Sequence, residues 1–125
     1  RDWAGHITNK NYVAMGNGLV GEQVVRAMAN AFEKSEPENL EERLMQAVEM
    51  GQEAGGEAFD SSPQHSAALL VYGSLSYPRV DLRVDEHPRP LVELRRVLEI
   101  YKPPIEYFSL RASDPEAAQA MHQAT

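Results

Sequence analysis

Six side chains in this sequence carry the acid–base chemistry that a hydrolytic site needs. They are two aspartates close together in one predicted strand and four histidines spread along the chain, namely Asp81, Asp85, His6, His65, His87 and His122. Hydrolysis also requires a nucleophile and a group that stabilises the oxyanion. No serine stands in a Gly-x-Ser-x-Gly elbow, which disfavours a serine hydrolase of that type. The chain has no cysteine, which excludes thiol catalysis, thiolate zinc sites and disulfides.

The densest polar pattern is an alternation of charged and apolar residues in which the charged members are Arg79, Asp81, Arg83 and Asp85. Because successive strand residues point to opposite faces, these four side chains share one face. As a structural feature they form a ladder of opposite charges that neighbours and water satisfy. As a functional feature they line a polar cleft in which the forked guanidinium of Arg83 holds an anionic substrate group.

Two histidine-containing motifs also allow a structural and a chemical interpretation. His6, which follows Trp3-Ala4-Gly5, is either a hydrogen-bonded structural residue or a catalytic one. Asp85-Glu86-His87 contains metal-capable groups, but adjacent strand residues point in opposite directions and no second histidine stands four positions on. We therefore expect no metal site and no cofactor, and a metal-dependent enzyme built on Asp85 and His87 is the least favoured interpretation.

The first half of the chain predicts one strand followed by two helices. The strand covers residues 11–17 and runs into the turn signal Gly16-Asn17-Gly18. Apolar residues at helical spacing predict a helix over 20–34, which Ser35–Pro37 ends. A second helix starts at an Asn39 N-cap, with Glu42 placed to reach back as in a capping box. Its last turns carry the small residues Ala47, Gly51 and Ala54, which predict close packing on a neighbour, and it stops at Gly55-Gly56.

The second half predicts a β-hairpin followed by helices. A loop over 59–65 precedes a strand over 66–73, and five residues connect that strand to the alternating strand over 79–85, so antiparallel pairing is expected. The run Ala67–Val71 is apolar at every position, which is typical of a strand covered on both faces. A helix from about Leu91 ends at Pro103-Pro104, and a short helix over 114–124, with Ser113 as its cap, follows.

These elements predict the α+β class, with a largely antiparallel sheet and helices segregated to one side of it. Helices on one side cover only one face of the run Ala67–Val71, so a second layer has to come from elsewhere. The net charge of −7 lies wholly within residues 35–60, which contain eight acidic residues and one arginine. That stretch is interpreted as a solvated helix face. The charge disfavours nucleic acid and anionic membranes as partners, and no apolar run is long enough to span a bilayer.

Several motifs together resemble a known family. They are the segment before His6, the turn Met15-Gly16-Asn17, the helix Val48–Gly56, the strand from Ser66, and above all Val80–Pro88 with the helix start that follows it. In this order they are similar to the family called domain of unknown function 1028 over about residues 3–102. That family resembles the N-terminal-nucleophile hydrolases, whose fold is a four-layer αββα sandwich. The family domain is about twice as long, and this sequence resembles its second half only.

The resemblance implies that residues 1–104 are the C-terminal half of such a domain and that 105–125 form a tail or short helix. It implies an amide hydrolase whose nucleophile lies on another segment, because Arg1 stands where that class has Thr, Ser or Cys. Asn17, His6 and Asp81 would then be catalytic, with Asn17 donating to the oxyanion, and Arg83 and Asp85 would bind a small amide substrate. The expected partner is an upstream segment or a second copy, in the cytoplasm. The alternative is a non-catalytic binding or assembly module with the same fold.

Overall fold

The computed structural model describes residues 2–58 and 65–124. It contains four strands and four helices in the order β1 (Trp3–Asn9), β2 (Tyr12–Leu19), α1 (Glu22–Lys34), α2 (Leu40–Glu53), β3 (Ala67–Tyr72), β4 (Pro78–Val84), α3 (Pro90–Ser113) and α4 (Pro115–Ala124). The class is α+β, as predicted. The described strands form two separate two-stranded antiparallel sheets, β1–β2 and β3–β4, where the sequence predicted one sheet. The predicted loop over 59–65 lies outside the described residues except for His65.

The first hairpin contains a strand that the sequence did not reveal. The inner face of β1 carries Trp3, Gly5 and Ile7, which are half-buried. Because the central glycine has no apolar side chain, the alternation of apolar and polar residues that would indicate a strand is weak. A Cβ atom at Gly5 would lie 2.5 Å from the ring of Trp3, so the close approach of that ring requires glycine there. The predicted turn at 16–18 is wrong, because β2 continues to Leu19, whose side chain is buried.

Helices α1 and α2 pack closely against each other, as the small residues of α2 predicted. A Cβ atom at Gly51 would lie 2.7 Å from Cγ of Met28 on α1. The predicted end of α2 is also confirmed, since Gly55 and Gly56 have φ of 127° and 58°, values that glycine adopts without strain. Helix α1 begins at Glu22, two residues after its predicted start, and ends before Ser35 as expected.

The predicted capping box of α2 is wrong because Glu42 has stronger partners elsewhere. Asn39 occupies the N-cap without a side-chain hydrogen bond. Glu42 accepts hydrogen bonds from Arg95 at 2.6 and 3.0 Å and from Lys102 at 2.7 Å, both on α3. Arg95 also donates to Glu49 at 2.7 and 2.9 Å. The acidic stretch is therefore not wholly a solvated face, since this network holds α2 against α3.

The second hairpin is antiparallel, as predicted, and places its two faces in different surroundings. Its inner face contributes to a core with α2 and α3 that comprises Leu69, Val71, Val80, Val84, Met45, Leu94 and Leu98 among others. On the outer face Leu70 and Tyr72 are 54% and 58% exposed. The cover that the run Ala67–Val71 predicts on both faces is thus present on one face only among the described residues.

Helix α3 does not end at Pro103-Pro104 but continues through both prolines to Ser113. Both prolines lie on the exposed side of the helix, and Ile105 just beyond them packs against the second-hairpin core. Anchoring on both sides of the prolines maintains the helix where they remove two backbone donors. The cap of α4 is Asp114, whose side chain accepts a hydrogen bond from the Ala117 N–H at 3.1 Å, and not the predicted Ser113.

No helix within residues 2–58 and 65–124 is both long enough and apolar enough to cross a bilayer.

The Arg95–Glu42 network predicts a specific loss of stability in acid. Hydrogen bonds from Arg95 are the main cause that lowers the pKa of Glu42 from 4.5 to about 2. A carboxyl with a lowered pKa in the folded state stabilises the protein above the unfolded pKa, and this contribution is lost as the pH falls from 4.5 towards 2. We expect Glu42→Gln to lower the free energy of unfolding by up to about 3 kcal/mol at pH 7 and by almost nothing near pH 2.

Urea unfolding at a series of pH values measures this difference. The exposed Glu53→Gln variant is the control and should match the parent protein at every pH. A constant deficit in Glu42→Gln between pH 2 and 7 would contradict the account.

Candidate functional site

The charged residues of β4 do not form one ladder. Arg79 turns away to Glu41 on α2 and donates to both carboxylate oxygens, at 3.0 and 2.5 Å. The Glu41 side chain is only 3% exposed, so this pair is a structural link between α2 and β4. Asp81 lies on the outer face of the hairpin, opposite Leu70 on β3. The expected charged face is thus reduced to Asp81, Arg83 and Asp85.

Arg83, the expected anchor for a substrate carboxylate, already binds its neighbour. Its Nε and Nη2 donate to one oxygen of Asp85 at 3.2 and 2.9 Å, and this hydrogen bond raises the pKa of the Arg83 guanidinium. The pair is exposed, so solvent screens it strongly. The third guanidinium nitrogen, Nη1, does not take part in the pair. Arg83 therefore keeps Nη1 outside this pair, where the nitrogen can donate to an anionic group.

His6 and Asn17 lie on the outer face of the first hairpin. His6 on β1 pairs with Met15 on β2, and Asn17 stands two residues further along β2 on the same face. Diagonal neighbours of this kind lie about 7–8 Å apart across a sheet, which is close enough to contact one small ligand. Within the described part of the chain neither side chain has a hydrogen-bond or ion-pair partner, and both are exposed.

The three neighbours Asp85, Glu86 and His87 have three different partners. Asp85 binds Arg83, Glu86 lies 2.7 Å from Nδ1 of His65, and Nδ1 of His87 accepts a hydrogen bond from the Arg89 N–H at 2.9 Å. Among the described residues, no group of three His, Asp or Glu side chains converges as metal ligation would require. The last histidine, His122, packs its ring against Tyr107 at the far end of the chain.

A groove that no single sequence motif predicted runs between the two sheets. One end is a cavity of about 470 Å³ between residues 12–14 of β2 and residues 68–70 of β3. The other end is a cavity of about 490 Å³ that Met15 and Leu19 line from one side and residues 67–68 from the other. Met28 and Val48 contribute to the floor of both cavities. We call this feature the edge groove, because its two banks are the edges of β2 and β3 that have no strand partner among the described residues.

The edge groove is apolar at the end beside residues 12–14 and mixed at the other end, where Gln52, Glu57 and Arg89 join the lining, and the expected site residues lie outside it. None of His6, Asn17, Asp81, Arg83 and Asp85 lines either cavity. These polar residues instead occupy the outer faces of the two sheets, His6 and Asn17 on one and Asp81 and Arg83 on the other. The apolar run Ala67–Val71 predicts a missing layer over one face of β3, and it does not predict a groove at the edge of that strand.

A further cavity of about 290 Å³ lies between the β3–β4 connection and the C-terminal part of α3. Its walls include the exposed aromatic side chains of Tyr77, Tyr101 and Phe108. The charged group in its lining is Arg79, which Glu41 already holds. The cavity therefore offers apolar contact and few free polar groups.

Comparison with known proteins identifies a family and nothing more specific. The family model described as "Family of unknown function (DUF1028)" matches residues 1–94. No curated protein and no solved structure matched the chain.

The uncovered faces predict that the isolated protein binds apolar dyes. Val13 and Leu70 are 55% and 54% exposed beside the edge groove. We expect Val13→Thr/Leu70→Thr to reduce the fluorescence of bound anilinonaphthalene sulfonate, because the change removes apolar surface at the groove. The free energy of unfolding should change by no more than about 0.5 kcal/mol per site, since both side chains are exposed.

The control is Val92→Thr on α3, which is 51% exposed and lines neither cavity of the groove. Equal dye binding by the parent protein and both variants would show that the edge groove is not the apolar surface described.

Proposed function

We propose that this chain, which belongs to the family of unknown function DUF1028, is the C-terminal half of an N-terminal-nucleophile-type amide hydrolase. Residues 1–104 form the half-domain under this proposal, and 105–125 form a C-terminal extension. The observation that carries the proposal is that each sheet is covered by helices on one face and leaves apolar residues uncovered on the other. Half of a four-layer αββα sandwich would have this arrangement.

The extent of the uncovered apolar surface supports the proposal. Met15 is 65% exposed on the first hairpin, and Tyr72 is 58% exposed on the second. Val13 and Leu70 extend these patches to the strand edges that line the edge groove. The inner faces of the two sheets pack against helices α1, α2 and α3. A second sheet layer laid on the uncovered faces would bury them, in the way that two sheets bury their inner faces in a sandwich.

The placement of the polar residues also supports the proposal. His6, Asn17, Asp81 and Arg83 all point from the uncovered faces, so a second layer would enclose them in the interior cleft. Enclosure matters because hydrogen-bond donors stabilise a developing charge far more strongly once water is excluded. The exposed position of these residues in the described chain is what a site awaiting its second layer would show.

Each residue then has a distinct role in amide cleavage. A Thr, Ser or Cys on the completing segment attacks the amide carbon, and its own terminal amine takes the proton. The side-chain amide of Asn17 donates a hydrogen bond to the oxyanion that forms. His6 transfers the proton that the departing amine acquires, and Asp81 on the second sheet shapes the substrate cleft beside Arg83. Arg83, oriented by Asp85, binds a carboxylate of the substrate through Nη1. No cofactor takes part.

A non-catalytic assembly module is the second candidate, and the edge groove favours it. The larger of the two described cavities between the sheets is lined by apolar side chains together with Gln52, Glu57 and Arg89, and by none of the proposed catalytic residues. A surface of that composition is suited to bind another polypeptide. Native mass spectrometry separates the candidates in part, because a symmetric homodimer alone supports self-assembly and a complex with a different polypeptide supports the split domain.

The hydrolase proposal predicts separable effects of two substitutions in the reconstituted domain. The chain is co-expressed with the polypeptide encoded upstream of Arg1, and a panel of small amides is assayed. We expect Asn17→Ala to lower kcat by about 10²-fold or more, because it removes an oxyanion donor. Arg83→Ala should raise KM by about tenfold for acidic substrates only, because it removes a charge-assisted hydrogen bond.

Arg26→Ala is the matched control, since Arg26 is an equally exposed arginine that pairs with a carboxylate on its own helix, Glu22. If Asn17→Ala and Arg83→Ala both keep the parent kcat and KM, the assignment of these residues is wrong. If no amide is cleaved by the reconstituted domain, the hydrolase proposal fails.

A further inference from the structure

The two banks of the edge groove are strand edges that lack a strand partner among the described residues. β2 is paired with β1 and β3 with β4, so each has one free edge. Almost no Cα atoms of β2 and β3 lie within 8 Å of each other, whereas paired strands stand about 4.8 Å apart. Two-stranded sheets of this size are marginally stable alone, and unpaired edges are ready templates for another strand.

The far end of the β2 edge already accepts an extended segment. The Val20 N–H donates to the Gly56 oxygen at 3.0 Å, and the Ala58 N–H donates to the Gly18 oxygen at 2.7 Å. These bonds form an antiparallel bridge between Leu19 and Glu57. The edge is therefore competent for antiparallel pairing, and among residues 2–58 and 65–124 no segment pairs with residues 12–16 on that side.

The direction of the banks indicates whether the groove takes an even or an odd number of strands. Residues 12–14 at the start of β2 lie beside residues 68–70, and Met15 and Leu19 further along lie beside residues 67–68. β2 and β3 thus run in opposite directions across the groove. A single inserted strand would be antiparallel to one bank and parallel to the other. Two antiparallel strands would make every junction antiparallel, which is the commoner pairing in sheets.

We infer that the edge groove is the docking site of a β-hairpin from a polypeptide outside these residues, which joins the two sheets into one continuous antiparallel sheet. The inner face of this hairpin packs on the apolar floor at Met28 and Val48, and its outer face continues the exposed surface of Val13 and Leu70. The hairpin is consequently apolar at nearly every position, as strands covered on both faces are. This inference rests on the proposed split domain and assigns the place where the completing segment binds.

A second copy of this chain is not the occupant, because its hairpins are already in use. The β1–β2 hairpin packs on α1, and the β3–β4 hairpin packs on α2 and α3. Either hairpin would have to leave its own core to enter the groove of a neighbour. Release of the second hairpin would uncover Met45, Leu94 and Leu98, which are almost completely buried, and this loss of burial opposes the exchange.

Two substitutions with a matched control test this inference. The chain is co-expressed with the polypeptide encoded upstream of Arg1, and the complex is purified and titrated. We expect Leu70→Lys on the bank and Met28→Lys on the floor each to weaken the complex at least tenfold, because each buries a charge beside the hairpin. Val92→Lys on α3 should leave the affinity unchanged. Leu70 is 54% exposed, so Leu70→Lys should fold with the parent circular dichroism and Tm.

Hydrogen exchange on the same complex gives the second readout. The inference expects amides at 12–16 and 68–70 to exchange at least about a hundredfold more slowly in the complex than in the chain alone. The inference is overturned if these amides exchange equally fast in the complex and in the chain alone, or if Leu70→Lys and Met28→Lys bind like the parent chain. It is also overturned if no polypeptide co-purifies with the chain, or if a homodimer alone protects these edges. Amide protection without hydrolase activity would refute the hydrolase proposal and leave the hairpin site standing. Hydrolase activity with unprotected edge amides would refute the hairpin site and leave the hydrolase proposal standing.

Discussion

Within the part of the chain that the structure describes, β2 and β3 each have one edge without a neighbouring strand, and the rest of the structure depends on this constraint. A strand edge carries a row of donors and acceptors that water can satisfy but a folded core cannot leave unpaired. The two edges face each other across the edge groove, above an apolar floor that helices from both halves provide. The two sheets, β1–β2 and β3–β4, are held apart at a fixed separation. This separation determines where the floor lies, which apolar residues are exposed and which way the polar side chains face.

Ion pairs attach α2 to the second hairpin and to α3, and helix packing attaches α2 to the first hairpin through α1. Arg95 on α3 binds Glu42 and Glu49 on α2, and Arg79 on β4 binds Glu41. Gly51 permits the close approach of α2 to α1, which carries the first hairpin. Since α2 contacts both α1 and the second hairpin, it acts as the bridge between the two sheets. Helix packing therefore supports the groove, and the groove keeps its shape without an occupant.

The sequence predicted elements wherever the hydrophobic period was strong and failed where long-range pairing decided the outcome. The α2 end at Gly55-Gly56 and the β3–β4 hairpin depend on local rules and were predicted correctly. Glu42 stands where a capping box would need it, but its carboxylate binds Arg95, 53 residues away along the chain. Arg79 left its expected face for a similar reason, and Pro103-Pro104 stayed helical because residues on both sides are anchored. Strand alternation placed Asp81 and Arg83 on one outer face correctly, but β1 with His6 was missed, Asn17 was expected in a turn, and the groove between two sheets has no local sequence pattern.

The distance between β2 and β3 tests the central claim most directly. The chain has no native cysteine, so Val13→Cys/Leu70→Cys accepts two spin labels and no others. Two intervening strands require a backbone separation of about 14 Å, three strand spacings, and paramagnetic resonance should report that distance as a narrow distribution once the completing polypeptide is bound. A separation of about 5 Å, the spacing of directly paired strands, would show that the two sheets close on each other and that no strand is missing between them.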